Sequence, residues 1–246
     1  MNGKRLHVSE DMKYEEFKAK YLTAGKAKSA ANTDNKIQWL PFNSKNQLTI
    51  ESYKTLREFA DSHKISLSGF KKSDVDISVI KDAITTLSEL QRDFPKVADD
   101  RHRLTLILSQ NMAAEDFAIT TKGRLIELNA AAYRDKKRLE AEYQKLVDER
   151  WFVEGSTYKT IMNHEFGHIV AAAYKIDPLE TACEITGLNE KRTLQFIGEN
   201  LSEYAASYDD GTEIISEVFS DMSTANPSEF SKKYYAKILE RSKECS

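Results

Sequence analysis

Apolar positions along the chain follow a helical spacing at both ends and a strand-like spacing in the middle. In "TIESYKTLREFADSH" they fall at Ile50, Tyr53, Leu56 and Phe59, which predicts a helix. A second helix is predicted through Ile80, Ala83, Ile84, Leu87 and Leu90. Ser73 with Asp76 three residues on has the form of a capping box ahead of it, and Pro95 ends it. The period then shortens. "RLTLILSQ" (103–110) is a leucine-rich run, and "DFAITTKGRLIELN" (116–129) reads as two short strands about Lys122 and Gly123. Helical spacing returns in a charged segment with Leu139, Tyr143 and Leu146 on one side. A helix over "TIMNHEFGHIVAAAY" follows, with Ser156 or Thr157 as its cap, and another after Asn189 carries Leu194, Ile197 and Leu201. "EIISEVFSDM" and "NPSEFSKKYYAKILERS" read as the last two helices. The pattern predicts a mostly helical α+β fold with one small sheet in its middle third and no internal repeat.

Composition narrows the class. A chain of 246 residues is long enough for one large domain, or for a domain with an appendage. Charged residues make up 30% of it, yet the net charge is only -3, so no field of one sign points to nucleic acid or to a membrane surface. Cys183 and Cys245 form neither a CxxC pair nor a disulfide framework, which favours a reducing compartment. No Sec-type signal and no apolar run of membrane-spanning length are visible. The expectation is a soluble protein, cytoplasmic or phage-associated, with export by another route still compatible. Residues 1 to about 48 are polar, Lys-rich and weakly periodic, as a flexible arm would be.

The chemistry concentrates in "HEFGH". Residues four apart on a helix differ by about 40° in direction and about 6 Å in height. His164 and His168 therefore project from one face and can reach a single ion, while Glu165 stands at the edge of that face within reach of a metal-bound water. The five histidines of the chain make a chance pair conceivable. The flanks argue otherwise: "TIM" and "IVAAAY" make this helix apolar nearly all round, and buried imidazoles and a buried carboxylate without partners would be costly.

A catalytic zinc needs a third protein ligand and an open position. The HxxGxxH continuation is excluded, because Ala171 and Tyr174 stand where its Gly and His would be. Asp177, Glu180 and Glu184 lie just downstream but follow the helix end expected near Pro178. Glu213 and Glu217 are the stronger pair. They are four apart on an apolar helix, and no lysine stands at i±4 to make them an exposed acidic stripe. Glu213 is read as the zinc ligand, and Glu217 as the acceptor for the ring N–H of a ligating histidine. The other histidines, His7, His63 and His102, are scattered and read as ordinary surface or core residues.

"HEFGH" followed by "LSEYAASYDDGTEIISEVFSD" resembles the zincin-like metallopeptidases of gluzincin type that are related to the anthrax lethal factor catalytic domain. Similar domains occur in phage minor head proteins and polymorphic toxins. Ser202, Tyr204 and Ala205 match the Ser-x-Tyr-Ala segment of that family, and Glu213 and Glu217 match its Glu-x-x-x-Glu helix. The resemblance spans about Gly69 to the C-terminus and divides the chain into an unassigned arm and helix (1–68) and a zincin-like domain (69–246). It implies a mostly helical α+β fold with a small mixed sheet beside the active-site helix. It further implies Zn2+ on His164, His168 and Glu213, Glu165 as general base, and a tyrosine that assists at the transition state. The stretch between Tyr204 and Glu213 is longer than usual in the family, so Tyr204 and Tyr208 both stand as candidates for that tyrosine. The strand "RLIELN" is expected to offer its edge to an extended peptide.

The expected activity is zinc-dependent hydrolysis of a peptide bond in a peptide or protein substrate. Two other readings stand beside it: a phage or mobile-element structural protein that keeps the fold without proteolysis, and a delivered protease toxin. In either, residues 1–48 would be the segment for a phage or toxin-delivery partner, although a Lys-rich arm is commonly just solvated chain.

Overall fold

The computed structural model of the protein describes residues 37–98, 102–121 and 123–244. His7, Lys122, Cys245 and the first 36 residues of the expected arm lie outside the described residues. Helix α1 (Ile50–Ser62) leads into strand β1 (Ile65–Ser68), and helix α2 (Ile77–Asp93) follows. The sheet continues with β2 (Leu104–Ser109), β3 (Ala118–Thr121) and β4 (Leu125–Asn129). Six helices follow: α3 (Lys136–Asp148), α4 (Ile161–Tyr174), α5 (Pro178–Thr186), α6 (Glu190–Asn200), the short α7 (Glu203–Ala206) and α8 (Glu213–Met222). A last helix, α9 (Glu229–Glu244), packs on α8 and α5. This is a mostly helical α+β fold with a small mixed sheet beside α4. Among the described residues, no helix is long and apolar enough to cross a membrane.

The sheet order is β1-β2-β4-β3. β1 and β4 run parallel to β2, and β3 runs antiparallel to β4. Two expectations change here. The sheet takes its first strand from before residue 69, so the packed unit includes α1 and β1 instead of starting at Gly69. The strand "RLIELN" is β4, whose two sides are already paired to β2 and β3, so it has no edge to offer; β3 is the strand at that end. Strand order is a long-range property, and the local alternation of apolar residues in β3 and β4 does not encode it.

Local chemistry explains most boundaries. Asp76, not Ser73, caps α2, accepting from the Ser78 N–H at 2.9 Å, while Ser73 closes the preceding turn on the Phe70 carbonyl. α2 ends at Phe94 because a residue before proline is pushed out of the helical region. Pro178 follows the end of α4 at Tyr174, as expected, and also occupies the first turn of α5, which Asp177 caps. Asn189 caps α6 as its sequence predicts.

Phe94 joins the helical layer together. Its ring lies 5.5–6.0 Å from those of Phe166, Tyr174, Phe219 and Tyr235, linking α2 to α4, α8 and α9. On the other side, residues 37–48 are laid against the domain and do not form a free arm. The Trp39 Nε1–H donates to the Ala114 carbonyl at 2.7 Å, and the Leu48 N–H donates to the Ser73 carbonyl at 2.7 Å.

Candidate metal centre

The start of α4 is fixed before its histidines begin. Thr157 caps the short 3-10 turn Tyr158–Thr160 that runs into the helix, and the hydroxyls of Thr160 and Tyr143 meet at 2.7 Å. Ser156, the other expected cap, is buried and donates to the Val153 carbonyl. α4 then packs against α8, whose residues from Glu213 to Asp221 are all buried. Gly167 sets how close the two helices come. A methyl group there would stand 2.7 Å from the Ser216 Cα and 3.0 Å from its nitrogen, so the crossing is backbone to backbone and a side chain would force it apart. The sequence leaves open whether this glycine is incidental; the packing requires it.

That crossing brings the predicted ligands together. One donor atom from each of His164, His168 and Glu213 lies within 4.8 Å of the others, and this is the only such group of three among the described residues. Glu213 Oε2 is 3.1 Å from His164 Nε2 and 3.2 Å from His168 Nε2. Four donors at about 2.0–2.1 Å around a tetrahedral zinc stand roughly 3.3 Å from one another. The spacing therefore suits ligands converging on one small cation. The buried Oε2 has no hydrogen-bond partner, despite the two nearby nitrogens, which is unusual for a carboxylate at this depth. A cation between the three atoms would satisfy it, and the residues present fit zinc.

Glu217 supports the group from behind. Its Oε1 lies 2.9 Å from His164 Nδ1, so the ring N–H points to this carboxylate and leaves Nε2 facing Glu213. Burial acts to lower the pKa of His164, but its contacts with Glu213 and Glu217, and their charges, override this and hold it well above 6.5. Burial likewise acts to raise that of Glu213, and the two histidines bring it down to about 2.

The remaining candidates separate clearly. Glu165 is buried on the same helix, and its Oε2 accepts from Thr120 Oγ1 at 2.7 Å. Tyr204 lies over His164 with ring centroids 5.7 Å apart, wedged between Trp151 and Phe152. Ser202 caps α7 and so fixes the turn that carries Tyr204. Burial first, then the charge of Glu213, pushes the Tyr204 phenol well above 10. Tyr208 is 41% exposed and stands behind Tyr204, 5.5 Å from its ring. The alternative acids have other work: Asp177 caps α5, and Glu184 pairs with Lys237 and Arg241 near the end of α9. Glu180 sits on α5 beside a groove of about 860 Å³. His63 bonds the Phe59 carbonyl at the end of α1, and His102 is exposed.

Sequence reasoning missed Thr120, Trp151 and Phe152. The two aromatics sit at the end of the charged helix segment, where their size marks them as packing residues but not for which partner. Thr120 carries no signal beyond a strand-like spacing. Comparison of the chain with protein-family models, with curated proteins and with solved structures finds no match.

Proposed function

We propose that the protein is a zinc-dependent endopeptidase of zincin-like, gluzincin type, with His164, His168 and Glu213 holding the metal. The observation that supports this reading is the convergence of two half-buried imidazoles, His164 and His168, on the buried Glu213 Oε2, which makes no well-aligned hydrogen bond, with Glu165 on the same helical turn. A structural zinc site is closed by four protein ligands, whereas three ligands leave the open position that catalysis needs.

When bound, zinc would polarise the peptide carbonyl and make water acidic enough to lose a proton near neutrality. Glu165 takes that proton on its carboxylate and passes it to the departing amine nitrogen. The Tyr204 hydroxyl, kept protonated by burial and by the charge of Glu213, donates to the oxygen of the substrate carbonyl as it gains negative charge. Tyr208 backs the Tyr204 ring and has no direct part. Glu217 keeps the His164 ring turned so that Nε2 faces the ligand group. An extended peptide adds to β3, the strand that packs beside α4 and whose outer side pairs with no other strand among the described residues.

Elemental analysis of zinc-reconstituted protein, followed by cleavage of a peptide library, tests the reading. About one zinc per chain is expected, with cleavage lost and zinc retained in Glu165→Gln. Pure protein that takes up no zinc rejects it.

A further inference from the structure

Glu165 is held from outside its own helix. Thr120, in the terminal strand β3, brings its Oγ1 to 2.7 Å from Glu165 Oε2, and the carbonyl oxygen of Glu165 is 3.0 Å away. A threonine hydroxyl has one proton to give. The shorter contact, to a charged acceptor, takes it. Thr120 is the donor that reaches this carboxylate among the described residues.

The backbone of the same residue faces the other way. The Asn129 N–H donates to the Phe117 carbonyl at 3.0 Å, so these two form a hydrogen-bonded pair across the β3–β4 ladder. Antiparallel pairing alternates, which makes Ile119 with Glu127 the next hydrogen-bonded pair. Ala118 and Thr120 then direct their N–H and C=O groups away from β4, toward the outer edge of the sheet.

We propose that Thr120 is a positioning residue that couples the general base to the docked peptide: its hydroxyl orients the Glu165 carboxylate while its backbone groups receive the substrate strand. The inference rests on the peptidase reading above. With Oε2 occupied by the hydroxyl, Oε1 is the oxygen left to handle the proton. A substrate strand that docks on β3 also fixes the hydroxyl, and with it the base.

Thr120→Val keeps the shape and the β-branch while removing the donor; Thr120→Ser keeps the donor. A lost hydrogen bond to a charged group corresponds to a fall of about tenfold to a hundredfold in kcat. The expected result is that fall in Thr120→Val, with KM and zinc content unchanged, and recovery of most of the rate in Thr120→Ser. A second measurement uses the metal-free protein. Unfolding of Thr120→Val, Glu165→Ala and the double variant should be non-additive if the two side chains are bonded. Wild-type kcat in Thr120→Val, or additive unfolding, overturns the proposal while zinc binding and wild-type cleavage leave the peptidase reading intact. A wild-type protein that binds no zinc and cleaves no peptide removes the peptidase reading and the base-positioning role with it. In that case the unfolding cycle still reports on the contact.

Discussion

Arg134 and His164 are both half-buried bases facing buried acids, and the two clusters are finished to different degrees. Around Arg134 every polar atom has a use. Its Nε meets Asp74 Oδ1 at 2.9 Å, one terminal nitrogen donates to the Leu40 carbonyl and the other to Gln110. The second Asp74 oxygen accepts from the Asn43 N–H at 2.7 Å. Around His164 the count falls short: Glu213 Oε2 and Glu217 Oε2 are both buried without a hydrogen-bond partner. Desolvated carboxylate oxygens are expensive to leave idle. The first cluster is a joint that fastens residues 40–43 to the sheet side of the domain. The second has two carboxylate oxygens to spare, and one of them, Glu213 Oε2, belongs to the group proposed to hold zinc.

The sharpest way to break this comparison is to damage each cluster and read both stability and metal affinity. Arg134→Ala strands Asp74 inside the protein and should lower unfolding stability by about 3–5 kcal/mol in a denaturation titration, with zinc affinity unchanged. Glu213→Gln should do the reverse: zinc affinity measured by competition with a chelator falls on the order of a hundredfold or more, and the metal-free fold survives. A smaller effect should come from Glu217→Gln. It keeps the volume and a hydrogen-bond acceptor but removes a charge behind His164, so zinc affinity should fall about tenfold, at the low end for outer partners of a metal ligand. If Arg134→Ala weakened zinc binding as much as Glu213→Gln, the two clusters would be one coupled structure and the distinction would fail.

That His164, His168, Glu213 and Glu217 come together was legible in the sequence because helical periodicity converts spacing into direction. His164 and His168, like Glu213 and Glu217, are four apart, and their apolar flanks show that both helices are buried. That two such helices meet was inferred from the cost of isolated buried charge, and the distances agree with it. What the sequence concealed is of another kind. β1 is four residues long, too short for a two-residue alternation to stand out, and it is stabilised by pairing with β2 almost forty residues away. Pro178 marks a helix that has ended and equally one about to begin; both are present, and only Asp177 as a cap signals the second. Thr120 reaches Glu165 across 45 residues through strand order, for which no local rule exists.

The contact between Gly167 and Ser216 has a consequence for how the cation would be received. Because backbone meets backbone there, the distance between the imidazole pair and the opposing carboxylate is gauged by the main chain, as the jaws of a caliper are set by its frame. An ion entering such a jaw would find little freedom to quench in the chain around it, so little of its binding free energy would be spent on ordering the site.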